Sequence, residues 1–363
     1  MRVKEITGFL ETYAPLQLQE SYDNAGLIVG DKESEVTGAL ITLDVTPEVL
    51  NEAVSTGKNM IIAHHPLIFK GIKKLTGSNT VEQIVIDAIK NDIAIYAAHT
   101  NLDNLFEGVN KILAGKLQLE NLKILKPQNN SLKKIVCFCP VSHAEQVRNA
   151  ILGAGAGNIG NYSDCSFNVE GTGTFKAGEN TNPFTGKKGK LHFEQEVRIE
   201  TVVPEYNVNN VIMAMKEVHP YEEVAYDIYP LDNFFEKTGA GMTGYLKKAT
   251  KPEEFLKTVK HTLKGVLRHS PLVNRKIEKV AVCGGSGSFL IDAAYNSGAD
   301  IFITADIKYH DFFRYNGSMT IVDAGHFETE QFARDLLFDI LKKKFPTFAL
   351  QISNVNTNAV SYF

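Results

Sequence analysis

Asn59-Met60-Ile61-Ile62-Ala63-His64-His65-Pro66 is a short apolar run that stops abruptly in two histidines and a proline. A half-exposed strand would alternate polar and apolar residues, so continuous apolarity over so few positions predicts a strand covered on both faces. Working outward, Gly38-Ala39-Leu40-Ile41-Thr42-Leu43-Asp44 and Ile93-Ala94-Ile95-Tyr96-Ala97-Ala98 read the same way. Between them, Thr46-Pro47-Glu48 supplies an N-cap and a first-turn proline, and residues 80–89 have helical spacing. Strands alternating with amphipathic helices predict an α/β core with helices packed on mostly parallel sheets.

The rhythm changes at Lys126-Pro127-Gln128-Asn129-Asn130-Ser131. Beyond it the pattern predicts a strand over 132–139, a helix over 144–152 and a glycine-rich passage through Gly153, Gly155, Gly157 and Gly160. Strands over 165–175 and 193–203, a helix over 208–218 and a strand over 221–229 follow. This β-α-β-β-α-β order predicts an inserted ferredoxin-like α+β domain over 129–234. The α/β pattern then resumes, with a helix over 252–266, strands over 279–283, 300–304 and 320–324, and a long final helix through Leu341. The core is thus expected to be discontinuous, with 1–128 as its first half and 235–363 as its second.

At 363 residues and 44% hydrophobic content the chain can bury more than one core. A formal net charge of -4 gives no electrostatic case for binding nucleic acid or an anionic membrane. No apolar stretch reaches the length of a signal peptide or a membrane span, so a soluble, cytoplasmic protein is expected. Cys137, Cys139, Cys165 and Cys283 are too few and scattered for a disulfide framework, and Cys137-Phe138-Cys139 reads as buried free thiols.

The chemistry lies where predicted strands end. His64 and His65 follow one strand, His99 and Asp103 the next, Asp306 and His310 another, and His326 and Glu330 open the final helix. In α/β sheets such ends share a crevice, and imidazoles with carboxylates are the usual ligands of zinc, manganese and iron. Adjacent His64 and His65 diverge as they leave a strand and can serve two ions. His326 and Glu330, four apart on a helix, lie about 5–6 Å apart at Cβ and can reach one centre. A dinuclear site follows, and because two cations about 3.5–4 Å apart need negative charge between them, Glu330 is the natural bridge, with Asp103 the second anionic ligand. His99 and His310 are either ligands or groups that orient ligands and carry protons.

Cys283-Gly284-Gly285-Ser286-Gly287-Ser288 is either a tight strand-to-helix turn or a phosphate cradle. It lacks the strict nucleophile elbow, so Gly285 and Ser286 are read as substrate-facing. His219-Pro220-Tyr221-Glu222-Glu223 is a turn in which His219 and Glu222 form a candidate second cation site.

Glu20-Ser21-Tyr22-Asp23-Asn24-Ala25-Gly26-Leu27, His64-His65-Pro66-Leu67-Ile68-Phe69, His99-Thr100-Asn101-Leu102-Asp103, Thr304-Ala305-Asp306-Ile307-Lys308-Tyr309-His310 and Gly325-His326-Phe327-Glu328-Thr329-Glu330 together resemble the Ngg1-interacting-factor-three-like family. Its bacterial members are catalogued as GTP cyclohydrolase 1 type 2 homologs, and the resemblance covers essentially the whole chain. It implies metal ligation by His64, His65, Asp103, His326 and Glu330. It also implies a middle domain similar to nitrogen-regulatory PII and copper-tolerance CutA proteins, and a toroidal homohexamer. The leading expectation is a hydrolase using two divalent ions per chain, zinc first and iron, manganese or cobalt as alternatives, on a nucleotide-like or phosphate-bearing small molecule. His99, Asp306 and His310 would serve catalysis. The rival expectation is a non-enzymatic protein that stores or delivers metal, or a regulatory ring with a PII-like sensor domain.

Overall fold

The computed structural model of the chain describes residues 1–129 and 131–362, so Asn130 of the polar junction lies outside the described residues. The chain divides into two compact units, one formed by Met1–Pro127 with Lys237–Phe363 and the other by Gln128–Glu236.

The first unit contains two sheets. One runs β1 (Gly26–Val29), β4 (Ala94–Ala97), β3 (Met60–Ala63), β2 (Ala39–Thr42) and β15 (Leu350–Ile352), all parallel except the edge strand β1. Every residue of β2, β3 and β4 is buried. Leu40, Ile61 and Ile95 pack beneath the helices Pro47–Ser55 and Thr80–Lys90, whereas Ile41, Ile62 and Tyr96 point the other way, onto the helices Val3–Tyr13 and Ala333–Lys344. Cover on both faces is why these strands show no alternation. Thr46 Oγ1 and Asn79 Oδ1 cap their helices by accepting from Val49 and Glu82 amides.

The other sheet runs β11 (Arg268–His269), β14 (Thr320–Asp323), β13 (Ile301–Ala305), β12 (Ile277–Ser286), β10 (Gly239–Thr250) and β5 (Leu119–Pro127). Only β12, β13 and β14 are mutually parallel. Strands β5 and β10 pair antiparallel, with Gly239 opposite Pro127, so the chain leaves and re-enters the unit at one point. Neither was expected from sequence, because β5 is largely half-exposed and lacks an apolar run.

The expected long final helix is two helices, His326–Glu330 and Ala333–Lys344. At the break the Gln331 amide still donates to Phe327 O, and side chains meet neighbouring carbonyls: Gln331 Nε2 donates to Glu328 O and Arg334 Nε to Gln331 O. The helix expected over 252–266 closes earlier, at Leu263, where Lys264 turns left-handed with φ +59°.

In the second unit β6 (Leu132–Pro140), β7 (Phe167–Lys176), β8 (Leu191–Pro204) and β9 (Tyr226–Leu231) form one antiparallel sheet ordered β7-β8-β6-β9. Residues 221–225, expected to begin β9, form a turn instead. The helices Ala144–Gly153 and Val208–Val218 cover one face, where Ile135, Cys137 and Cys139 meet Val147, Ile151, Val211 and Met215. Burial pushes the Cys137 thiol up to about 12 and the Cys139 thiol up to about 11, as inert packing residues. Among the described residues no helix is long and apolar enough to cross a membrane.

Gly108, the N-cap of the helix Val109–Lys116, seats the turn Thr100–Asp103, since a Cβ there would stand 1.9 Å from Leu102 O. Gly108→Ala is expected to destabilise the chain by about 1–3 kcal/mol, read as a lower urea midpoint. An unchanged midpoint would contradict the close approach.

Candidate metal centre

Side chains from both sheets of the first unit converge at strand ends. Strand β3 stops at Ala63 and delivers His64 and His65, while β4 leads through His99 into the turn that carries Asp103. From the other sheet, β14 is followed by Gly325 at φ +91°, which turns the chain into the short helix bearing His326 and Glu330.

Glu330 is the shared member. Its Oε2 lies 2.9 Å from both His65 Nε2 and His326 Nε2, whereas its Oε1 faces His64 Nε2 at 3.9 Å. His64 Nε2 in turn stands 3.6 Å from Asp103 Oδ1. Two groups result, His65 with His326 and Glu330, and His64 with Asp103 and Glu330; a third joins His64, His65 and His99. Each could hold a metal ion.

The donor set fits such an ion. Two donors bound about 2.0–2.2 Å from one tetrahedral ion stand roughly 3.3–3.6 Å apart, close to the His64–Asp103 distance and to the 3.4 Å between the Nε2 atoms of His65 and His326. His64 Nε2 and Asp103 Oδ1 are buried without a hydrogen-bond partner among the described residues. Such orphans cost about 1–3 kcal/mol each, and a cation between them removes that cost.

Every imidazole is also fixed from behind. The Nδ1 atoms of His64, His65, His99 and His326 each sit 2.7 Å from an acceptor: Ala98 O, Asp44 Oδ1, Asp23 Oδ1 and Asp306 Oδ2 respectively. A carbonyl or ionised carboxylate only accepts, so each Nδ1–H donates and each Nε2 is left to its other neighbours. Burial opposes a positive charge on His65, but hydrogen bonds to Asp44 and Glu330 outweigh it and raise its pKa to about 10. His326, likewise opposed by burial and supported by Glu330 and Asp306, rises to about 9. Burial lifts the Asp103 carboxyl above its ordinary range, with the Glu330 charge adding to it. Burial would raise the Glu330 carboxyl, but hydrogen bonds from His326 and His65 and the charge of nearby His64 hold it well below the ordinary range. Asp23, whose burial would raise it, is held at about 2 by His99 and Thr100.

The cluster opens into a cavity of about 930 Å³ whose wall includes Tyr22, Phe69, Phe289, Arg268 and the C-terminal residues Thr357 and Asn358. Thr357 Oγ1 donates to Asp44 Oδ2 at 2.8 Å, on the carboxylate that braces His65.

The structure thus brings together His64, His65, His99, Asp103, His326 and Glu330, with Asp306 behind His326. Ser286 lines the cavity. Gly285 lies against the cluster: at φ +58° its missing Cβ would stand 2.2 Å from Glu330 Oε1. The amides of Gly284 and Gly285 donate to Asn110 Oδ1 and Thr329 Oγ1, so this turn does not present them to a phosphate. His310 does not reach the cavity wall. Asp306 adopts φ +56° directly after β13, Ile307 drops into the core, and His310 is carried to the surface beside Tyr309 and Phe313. His219 cannot serve a cation as built, since Nε2 is 3.0 Å from Phe138 O and Nδ1 accepts from the Tyr221 amide. Sequence reasoning missed Asp23 and Asp44. Asp44 carried a usable signal, because it follows β2 as His64 follows β3.

An α/β fold of several sheets, with a shared glutamate between histidine groups suited to metal, defines the class. The sequence pattern of Duf34/NIF3 (NGG1p interacting factor 3) matches residues 1–359, and the chain belongs to that family. It is 41% identical over 358 residues to a Halalkalibacterium halodurans protein named GTP cyclohydrolase 1 type 2 homolog, covering 97% of this chain and 96% of the relative. Among solved structures, a Bacillus cereus protein related to NIF3 superposes with a TM-score of 0.85 at 41% identity, covering 100% of this chain and 99% of that one. A Staphylococcus aureus protein, SA1388, superposes at 0.78 with 30% identity and the same coverage.

Because Glu330 supports the charge on His326, Glu330→Gln in metal-free protein is expected to bring the His326 titration down from about 9 toward the ordinary 6.5. Histidine NMR against pH reads it, and a titration that stays near 9 would refute the pairing.

Proposed function

We propose that the Glu330 cluster holds two divalent metal ions, one on His64, Asp103 and Glu330 and the other on His65, His326 and Glu330. The protein is, on this reading, a metal-dependent hydrolase of a nucleotide-like or phosphate-bearing small molecule. The observation that carries the proposal is the division of one buried carboxylate, Oε2 toward His65 and His326 and Oε1 toward His64, whose Nε2 also faces Asp103 Oδ1. Donors of imidazole and carboxylate suit zinc first, with iron, manganese or cobalt as alternatives. Bound there, such ions supply Lewis-acid polarisation and a lowered pKa for water.

The remaining roles belong to this chain's own residues. Asp44 and Asp306 orient His65 and His326 through their Nδ1 atoms. His99, half-buried against Phe69 and hydrogen-bonded to Asp23, is placed to move a proton at the cavity edge. Ser286 offers a hydroxyl to substrate. The mixed ligand set supports turnover over a structural role, because structural zinc sites are closed, commonly by cysteines, whereas catalytic ones leave a position open. The relatives' name supports the nucleotide class.

We further propose that residues 129–234 form an inserted ferredoxin-like domain of PII/CutA type, supported by the strand order β7-β8-β6-β9. The chain is taken to assemble as a toroidal homohexamer in the cytoplasm, which mass measurement in solution checks.

Elemental analysis of protein purified without chelator is expected to give two ions per chain, both lost in Glu330→Gln; retention of both refutes a shared carboxylate. Asp44→Asn is expected to weaken metal binding about 10–100-fold, by competition with a chromogenic chelator. A panel of nucleotides and phosphoesters under the native metal tests turnover, which His326→Ala should abolish. No turnover of any member would overturn the hydrolase reading while leaving the metal reading intact.

A further inference from the structure

The unit Gln128–Glu236 encloses its own cavity of about 420 Å³, separate in its lining residues from the metal centre. That volume is within the usual range for small-molecule sites, about 300–1,000 Å³. Its walls are aromatic. Tyr221 lies 6.2 Å from both Phe175 and Phe184, centroid to centroid, at 57° and 48°, so the rings are tilted and not stacked, and all three line the cavity. Phe184 comes from the connection between β7 and β8, which Glu222 ties in place by accepting from the Asn182 amide at 2.8 and 3.0 Å.

The same walls are acidic. Glu196, Glu222 and Glu223 border the cavity against a single cation, Lys176. Tyr221 donates its hydroxyl to Glu196 Oε1 at 2.8 Å, which holds the carboxylate beside the ring and leaves Oε2 free of that bond. His219 fixes the turn beneath. Its Nε2 donates to Phe138 O and its Nδ1 accepts from the Tyr221 amide, so it is a neutral brace and adds no positive charge. Aromatic faces carry negative potential, and with carboxylates they favour a cation of low charge density over an anion or a neutral molecule.

We propose that Phe175, Phe184, Tyr221 and Glu196 form a binding site for a small organic cation with an ammonium or guanidinium head. The head sits over the rings with Glu196 as its counter-charge, and Phe184 closes the outer wall. The proposal is independent of the metal reading.

Isothermal titration of the full chain with choline, and with its neutral carbon isostere 3,3-dimethyl-1-butanol, tests it. Choline is expected to bind saturably and about tenfold more tightly than the isostere. Glu196→Gln and Phe184→Ala are each expected to weaken choline binding about tenfold, with metal content unchanged. Phe184 is 53% exposed, so its replacement leaves the core of the unit intact. His326→Ala should bind choline as the parent does. Equal affinity for both probes, no saturable binding of choline, or unaltered binding in both wall variants would overturn the site. Loss of choline binding in His326→Ala would overturn its independence from the metal centre.

Discussion

A single buried carboxylate organises the first unit. Glu330 is almost fully shielded from water, and an ionised carboxylate there is tolerable only if opposing groups meet its oxygens. His64, His65 and His326 meet them, and they come from two different sheets. The two halves of the discontinuous core are therefore joined by electrostatics as well as by apolar packing. The conformation of the Gly285 turn follows from the same demand: a side chain at that position would occupy the space of Glu330 Oε1.

Behind the imidazoles stands a ring of acceptors. Asp23, Asp44, Asp306 and the Ala98 carbonyl each hold one Nδ1 and so decide the direction of one Nε2. Without that ring four neighbouring imidazoles could rotate and pair with one another or with solvent. With it, their donor atoms are held in place in advance, and the cost of ordering them is met during folding. Tertiary contacts add further control, since Thr357, far along the chain, reaches Asp44.

Much of this was legible in the sequence. Apolar runs flanking His64 and His99 marked doubly covered strands, because burial on both faces is written in composition. The i,i+4 spacing of His326 and Glu330 marked a shared helix face. Strands β5 and β10 were not legible, since each is partly exposed and their pairing joins residues more than a hundred positions apart. Sequence position groups His310 with Asp306 at one strand end, but it carries no sign of the left-handed turn at Asp306 that takes His310 to the surface, outside the cavity wall. His219 misled for a different reason: its position suggested a ligand, but both its nitrogens are engaged by the backbone.

The residue types alone determined that this chain would be an α/β protein with a histidine and carboxylate site at its strand ends, because periodicity and side-chain chemistry are local properties. Only the tertiary structure decided which oxygen of Glu330 faces which imidazole, which aspartates brace them, and that aromatic and acidic residues of a separate unit enclose a second cavity. Those are relations between segments far apart in sequence. Their geometry is set by the packing of sheets and the turns between them, which no single stretch of residues encodes.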